Sequence, residues 1–371
     1  MIATCWVHIG VEKTGTTTIQ AFLARNRHAL RQRGFLYPQA PGHSNHMALA
    51  CFAMEDGRYD NVRQSMGIRT QDQLQRYRSR LSAAIDREIG SSTTPFLIFS
   101  NEHLSSRLRT TAEVHRLKSF CDRIATNTKI IVYLRNQVDL FVSRYVEAVK
   151  GGSTRPFLFR DGSGLNGQFD YQRMLARWSA VFGGENLIVR RFEPADFEGE
   201  DLLLDFGSQC GFDGCSLERV AARNVAPDRN CVEFLREFNN HVPHMIDGKR
   251  NPRRGQVVSD LECAGSGEPF LVSNDVARAI EEQFRASNEA VSAEYFGGRH
   301  RPLFSPPRKI AMDSAAAKPM DAMESTRIAA FLWQAQQDRI NARAPSGAAA
   351  VSDWLKSRLR RAASNILRLR T

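Results

Sequence analysis

The sequence predicts an α/β protein in which helices flank a central parallel β-sheet, with a helical extension at the C-terminal end. Short apolar runs at 2–9, 95–99 and 129–134 are typical of buried strands. Segments with helical spacing of apolar residues lie between them, and strands that alternate with helices are typical of a parallel sheet. A chain of 371 residues with 42% hydrophobic residues is long and apolar enough for a substantial core.

The chain is expected to divide into a main domain at 1–304, a linker at 305–323 and a helical, basic extension at 324–371. The linker prediction depends on Pro306-Pro307 and on the small residues that begin at Ser314. The expected elements, in order, are a strand at 2–9, a helix at 17–33, a short strand within 34–38, strands at 95–99 and 129–134, and helices at 324–341 and 351–369.

Composition limits the classes of function. Seven cysteines without Cys-x-x-Cys spacing predict reduced thiols in a cytoplasmic protein, and neither a basic leader nor an apolar run of membrane-spanning length is apparent. The net charge of +11 favours an anionic ligand. Nucleic acid is not expected as a partner, because the arginine-rich stretches 63–87 and 249–254 carry no recognisable nucleic-acid-binding motif. No metal-ligand spacing stands out, so no metal is predicted.

The first strand and first helix are joined by the most informative stretch of the chain. The loop from Gly10 to Thr16 leads from the end of the strand to the start of the helix. At such a junction the N–H groups of the first helical turn point outward, and the helix dipole adds partial positive charge. Lys13 adds a full charge. The loop therefore predicts a site for a phosphate or sulfate group.

The lysine position separates this loop from the P-loop of nucleoside-triphosphate enzymes. A P-loop reads G-x-x-x-x-G-K-[ST], with the lysine after the second glycine. Gly10 and Gly15 keep that glycine spacing, but the lysine is Lys13 and Thr16 stands where the P-loop lysine would be. The run Lys-Thr-Gly-Thr-Thr at 13–17 resembles instead the 5′-phosphosulfate loop of sulfotransferases that use 3′-phosphoadenosine-5′-phosphosulfate (PAPS).

A second segment is similar to the same family. The apolar strand at 129–134 runs into Arg135, and Ser143 follows eight positions later. In the sulfotransferases an arginine and a serine at this spacing hold the 3′-phosphate of the cofactor. The chemistry is suitable, because a guanidinium group makes bidentate contacts with phosphate. Gln137 replaces the proline that is common in the family, and a proline at a helix start is not itself a ligand.

The resemblance is to PAPS-dependent sulfotransferases of the bacterial carbohydrate type, which have a P-loop-like fold, and it covers about residues 1–300. It implies transfer of a sulfuryl group to a hydroxyl acceptor on a saccharide or glycan. It assigns donor binding to Lys13, Thr14, Gly15, Thr16, Thr17, Arg135 and Ser143. Lys13 is further expected to act in catalysis, because positive charge must meet the negative charge that develops on the leaving phosphate.

A base is needed to take the proton of the acceptor hydroxyl, and two regions offer one. Glu102 and His103 follow the apolar run at 95–99, and a strand end beside the cofactor loop is where a tuned acid or base is expected. Some relatives place a catalytic histidine at such a position, and many carbohydrate-type relatives use a glutamate. His43 and His46 lie after the second strand, where other branches of the family place the base. The choice among these four residues stays open.

The C-terminal pattern at 351–369 predicts a basic amphipathic helix that could dock on protein or lie on an anionic membrane surface, at the inner membrane face. Two other classes of function remain open. One is a non-catalytic nucleotide-binding or membrane-surface scaffold module, and the other is a P-loop kinase or NTPase, whose Gly-Lys-Ser/Thr sequence is not apparent. Neither the acceptor nor the oligomeric state is predicted by the sequence.

Overall fold

The computed structural model describes residues 2–159, 169–220, 227–264, 267–297, 302–310 and 320–342. At its centre lies a five-stranded sheet in the order β2-β3-β1-β4-β5, and every strand pair in it is parallel. The strands are β1 (Ile2–His8), β2 (Phe35–Leu36), β3 (Phe96–Ser100), β4 (Ala125–Leu134) and β5 (Leu187–Arg191). The predicted α/β class with a central parallel sheet is confirmed.

Helices occupy most of the chain between and after these strands. They are α1 (Thr16–Arg25), α2 (Arg27–Gln32), α3 (Met47–Ala53), α4 (Asn61–Ser65), α5 (Gln71–Gly90), α6 (His103–Arg107), α7 (Thr111–Ile124), α8 (Gln137–Lys150), α9 (Tyr171–Phe182), α10 (Leu202–Cys210), α11 (Arg229–Phe238), α12 (Pro252–Ala264), α13 (Asn274–Tyr295) and α14 (Ala322–Ala342). A two-stranded antiparallel hairpin pairs β6 (Met245–Ile246) with β7 (Lys249–Arg250). None of the helices in the described part of the chain is long and apolar enough to cross a membrane.

The helix predicted at 17–33 is two helices, α1 and α2, separated at Asn26. The side chain of Asn26 donates from Nδ2 to the carbonyl of Phe22 at 2.9 Å and accepts from the backbone N–H of Glu218 at 2.9 Å. An asparagine that bonds to the backbone in this way competes with helix continuation. The break therefore comes from a contact made by a segment almost two hundred residues later, which periodicity alone does not reveal.

The order of the strands determines where a ligand can bind. Strand β1 lies between β3 and β4, and the chain continues from β1 towards β2 and β3 on one side and from β4 to β5 on the other. In open parallel sheets, ligands bind beyond the carboxyl ends of the strands where the direction of winding changes. That point is between the ends of β1 and β4, which are also the starts of the two loops singled out in the sequence.

The chain forms two compact units that interleave along the sequence. The first takes the described residues within 1–145, 157–224 and 271–316, and it contains the whole sheet. The second takes the described residues within 146–156, 225–270 and 317–371, with α11, α12, the hairpin and α14. Residues 305–310 of the predicted linker belong to the first unit. The helix expected at 324–341 is α14, whereas the pattern at 351–369 lies outside the described residues.

Arginines from the basic stretch at 63–87 bind backbone carbonyls at the end of α3. Arg63 is 2% exposed and donates to the carbonyls of Met54 at 3.0 Å and Asp56 at 2.7 Å, and also to those of Glu55 and Arg58. Arg78 donates to the carbonyl of Phe52 at 2.8 Å. Helix carbonyls that lack partners within the helix need such donors. These two arginines therefore serve the fold, and α3 in turn carries His46 at its N-cap.

We expect Arg63→Met to lower the free energy of unfolding by about 2–4 kcal/mol, because several carbonyls would lose a charged donor in a buried place. Urea denaturation followed by circular dichroism measures this. Arg80→Met is the matched control, since Arg80 is exposed on the same stretch. It should change the unfolding free energy by no more than about 0.5 kcal/mol. Equal effects of the two variants would contradict this role of Arg63.

Candidate functional site

The loop after β1 has a backbone shape that opens α1 to a ligand. Gly10, Lys13 and Gly15 all adopt positive φ, at 49°, 68° and 73°. Gly15 is the N-cap of α1, and no side chain caps the helix there. The N–H groups of Thr16 and Thr17, in the first turn, therefore have no partner within the helix, which suits an anion.

Both glycines of this loop are required by close neighbours. A Cβ at Gly10 would lie 2.6 Å from Cγ2 of Thr16 and 3.3 Å from the Cα of Glu102. A Cβ at Gly15 would overlap the side chain of Leu202. The short distance from Gly10 to the Cα of Glu102 also shows that the loop packs against one of the candidate bases.

The threonines of the loop differ in what they can offer a ligand. Thr14 is fully buried, and its hydroxyl donates to the carbonyl of Val11 at 2.6 Å, so this side chain shapes the loop. Thr16 is 5% exposed and Thr17 is exposed. Of the predicted donor-binding threonines, Thr17 is thus the most accessible to a bound group.

A hydrogen bond joins the two predicted motifs. Arg135 follows the last residue of β4, and its Nη1 donates to the backbone carbonyl of Lys13 at 2.6 Å, across 122 residues of sequence. The guanidinium group lies over the ring of Phe192, with Cζ 5.6 Å from the ring centroid. The hydroxyl of Tyr171 donates to the carbonyl of Arg135 at 2.6 Å. Arg135 is therefore fixed beside the first loop.

Ser143 lies on α8, close to a lysine that the sequence did not single out. Its hydroxyl donates to the carbonyl of Asp139 at 2.8 Å, and Nζ of Lys309 donates to its oxygen at 3.2 Å. The only signal for Lys309 was the basic pair Arg308-Lys309 after two prolines, in a stretch that the sequence predicted to be a linker. Its position depends on tertiary contacts that a local pattern does not encode.

Positive charges outnumber negative ones among the groups that act on Lys309. Burial lowers the pKa of Lys309 to about 8, the positive charges of Arg135 and Lys13 add to the effect, and the carboxylate of Asp139 opposes it. A lysine crowded by like charges gains when an anion binds among them. Lys13, Arg135 and Lys309, with Ser143, form what we call the cation cluster.

Glu102 is held by amide groups on the other side of the first loop. Nε2 of Gln20 donates to Oε2 of Glu102 at 2.7 Å, and Nδ2 of Asn45 lies 3.2 Å from each carboxylate oxygen. Nδ2 of Asn101 donates in turn to Oδ1 of Asn45. Because amide NH₂ groups only donate, these bonds hold the Glu102 side chain in one orientation as an acceptor.

The three candidate histidines lie in different surroundings. His103 is half-buried at the start of α6, and within the described residues its Nδ1 has no hydrogen-bond partner. His43 is exposed. His46 is fully buried, with Nε2 2.9 Å from the carbonyl of Pro38 and Nδ1 accepting from the N–H of Ser100 at 3.3 Å. Burial lowers the pKa of His46 to about 3. Both ring nitrogens of His46 are thus engaged by backbone groups in the core, and its role as a base stays a prediction.

No group of three or more histidine, cysteine, aspartate or glutamate side chains in the described part of the chain is arranged to hold a metal ion.

No family model matches the chain. An uncharacterized protein of Archaeoglobus fulgidus is 29% identical over 188 residues, and the chain spans about half the length of this relative: 48% of this chain is matched to 48% of that protein. The crystal structure of a sulfotransferase from Alicyclobacillus acidocaldarius gives a TM-score of 0.37 at 16% identity, over 59% of this chain and 85% of that one. A TM-score this low does not support the transfer of a function from that protein to this chain. A functional assignment therefore depends on the site itself.

We expect Lys309→Met to weaken anion binding without destabilising the ligand-free protein, because the substitution removes one of several mutually repelling charges. Sulfate at millimolar concentration, with ionic strength matched by chloride, should raise the melting temperature of the wild type by about 2–5 °C. The rise should fall by at least half in the variant, as thermal denaturation would measure.

Lys118→Met is the control for this comparison, since Lys118 makes an exposed ion pair with Asp122. Any general salting effect of sulfate would act on it as on the wild type. The same sulfate response in wild type and Lys309→Met would contradict the cation cluster.

Proposed function

We propose that this protein is a sulfotransferase that moves a sulfuryl group from PAPS to a hydroxyl group, with a saccharide or glycan as the acceptor. The observation that carries the proposal is the hydrogen bond from Arg135 to the carbonyl of Lys13. It links the loop before α1 to the side chain of Arg135. The two proposed anion-binding positions, the first turn of α1 and the group of Arg135, Ser143 and Lys309, would then lie side by side. PAPS carries anionic groups on both its 5′ and 3′ positions and would occupy both.

The 5′-phosphosulfate would lie against the first turn of α1. The N–H groups of Thr16 and Thr17 would bind it together with Lys13, and the helix dipole would favour its negative charge. Arg135, Ser143 and Lys309 would hold the 3′-phosphate through charge-assisted hydrogen bonds. Binding of one ligand at two ends fixes its orientation, which is the main requirement for an in-line group transfer.

The transfer step would then need little covalent chemistry from the protein. The acceptor oxygen attacks sulfur, the bond from sulfur to the 5′-phosphate oxygen breaks, and that oxygen leaves with the electron pair as adenosine 3′,5′-bisphosphate. Lys13 and the amides of α1 would stabilise the charge that develops on the leaving phosphate, as preorganised donors do in other group transfers.

Glu102 is our proposed base for the proton of the acceptor hydroxyl. It lies against Gly10 of the first loop, and the amides of Gln20 and Asn45 hold both carboxylate oxygens. A base that is already oriented can accept a proton without rearrangement. His103, adjacent in sequence, is the alternative.

We expect the intact protein to bind adenosine 3′,5′-bisphosphate. Lys13→Ala and Arg135→Ala should each weaken binding about 10- to 100-fold, because each removes a charged partner of a phosphate. Isothermal titration calorimetry measures this directly. Arg109→Ala is the control, since Arg109 is exposed, and its affinity should match that of the wild type.

No binding by the wild type would overturn the proposal. If binding is found, transfer of radiolabelled sulfate from PAPS should be tested on a panel of glycans, lipids and small alcohols. Glu102→Gln should then keep the affinity for the bisphosphate and lose transfer. Binding without transfer to any acceptor would favour a non-catalytic nucleotide-binding module.

A further inference from the structure

Residues 302–310, which we call the strap, bring Lys309 to the cation cluster without forming a helix. Side chains and backbone groups tie the strap at several points. The N–H and hydroxyl of Ser305 donate to the carboxylate of Glu193 at 2.7 and 2.8 Å, and Nδ2 of Asn136 donates to the carbonyl of Ser305 at 3.3 Å. The N–H of Val272 donates to the carbonyl of Lys309 at 3.1 Å.

Asp139 makes the bonds nearest to the lysine side chain. It lies in the first turn of α8 and is 7% exposed. Its Oδ1 accepts from the backbone N–H groups of both Arg308 and Lys309, each at 3.0 Å. These two bonds fix the backbone from which the side chain of Lys309 reaches Ser143, one turn further along α8.

The negative charge of Asp139 is a disadvantage for an anion-binding site. The carboxylate acts electrostatically on both Arg135 and Lys309, and it would repel a phosphate bound between them. An amide oxygen also accepts from two backbone N–H groups, with weaker bonds, so the geometry of these bonds does not require the charge. The charge therefore has an effect separate from the bonds.

We propose that Asp139 is a positioning residue with two opposed effects: its Oδ1 orders the strap that presents Lys309, while its charge weakens anion binding and so speeds release of the bisphosphate product. The inference depends on the proposed function, because that function supplies the ligand. Product release limits the turnover of many enzymes, and several fixed cations favour tight binding of a bisphosphate. A buried carboxylate in the same place offsets part of that affinity.

The test compares Asp139→Asn with Asp139→Ala in the full chain at pH 6.5, where Lys309 is protonated. Asp139→Asn keeps the two acceptor bonds and loses the charge. Its dissociation constant for adenosine 3′,5′-bisphosphate and its dissociation rate constant should both fall about 3- to 10-fold below those of the wild type. Asp139→Ala loses the bonds as well, so it should bind at least about tenfold more weakly than Asp139→Asn. Calorimetry gives the affinities and stopped-flow displacement gives the rates.

Asp201→Asn is the matched control. Asp201 also accepts from two backbone N–H groups, those of Leu203 and Leu204 at 2.8 and 3.1 Å, but it pairs with Arg219 instead of the cation cluster. Its affinity for the bisphosphate should equal that of the wild type. A purely structural role for Asp139 would not produce tighter binding in Asp139→Asn.

An affinity of Asp139→Asn equal to or weaker than that of the wild type would overturn the proposal, as would equal affinities of the Asn and Ala variants. The same comparison with inorganic sulfate separates this proposal from the proposed function. Sulfate binding without bisphosphate binding would overturn the proposed function alone, and the ranking of the variants would then be decided with sulfate. Binding of neither ligand would overturn both.

Discussion

The hydrogen bond between the guanidinium group of Arg135 and the carbonyl of Lys13 is the contact on which the rest of the site depends. Strands β1 and β4 are neighbours in the sheet, so their following loops start side by side. That the two strands are neighbours does not by itself fix one loop against the other. The bond at 2.6 Å ties the backbone of the first loop to the side chain that follows β4. Lys13 can then keep its positive φ of 68° while the amides of α1 stay open to a ligand.

That bond also holds Arg135 close to Lys13, so positive charges gather at this end of the sheet. Lys309 approaches the same place from the strap, and burial among like charges lowers its pKa to about 8. Asp139 opposes the repulsion and orders the strap with the same carboxylate. Lys309 thus lies among like charges that the carboxylate of Asp139 partly offsets, and a bound phosphate would relieve the repulsion. Such local compromise is typical of functional sites.

The sequence predicted the elements whose signals are local. The glycine, lysine and threonine pattern from Gly10 to Thr17 marks a strand-to-helix junction, and the structure has that junction. It could not predict Lys309, because no periodicity marks the strap and its bonds come from α8 and Glu193. Nor could it separate the candidate histidines, since the burial of His46 depends on contacts with Pro38 and Ser100. The hydrogen bonds from Gln20 and Asn45 to Glu102 could not be predicted for the same reason. No local pattern marks these two residues, which the fold brings together.

The central claim is that the two loops bind the two phosphates of one ligand, and a crystal structure of the protein with adenosine 3′,5′-bisphosphate tests it most directly. The account predicts the 5′-phosphate within hydrogen-bond distance of the N–H groups of Thr16 and Thr17. It predicts the 3′-phosphate within the same distance of Arg135 and Lys309. A bisphosphate bound elsewhere, or held through only one of these two positions with the other phosphate in solvent, would contradict it.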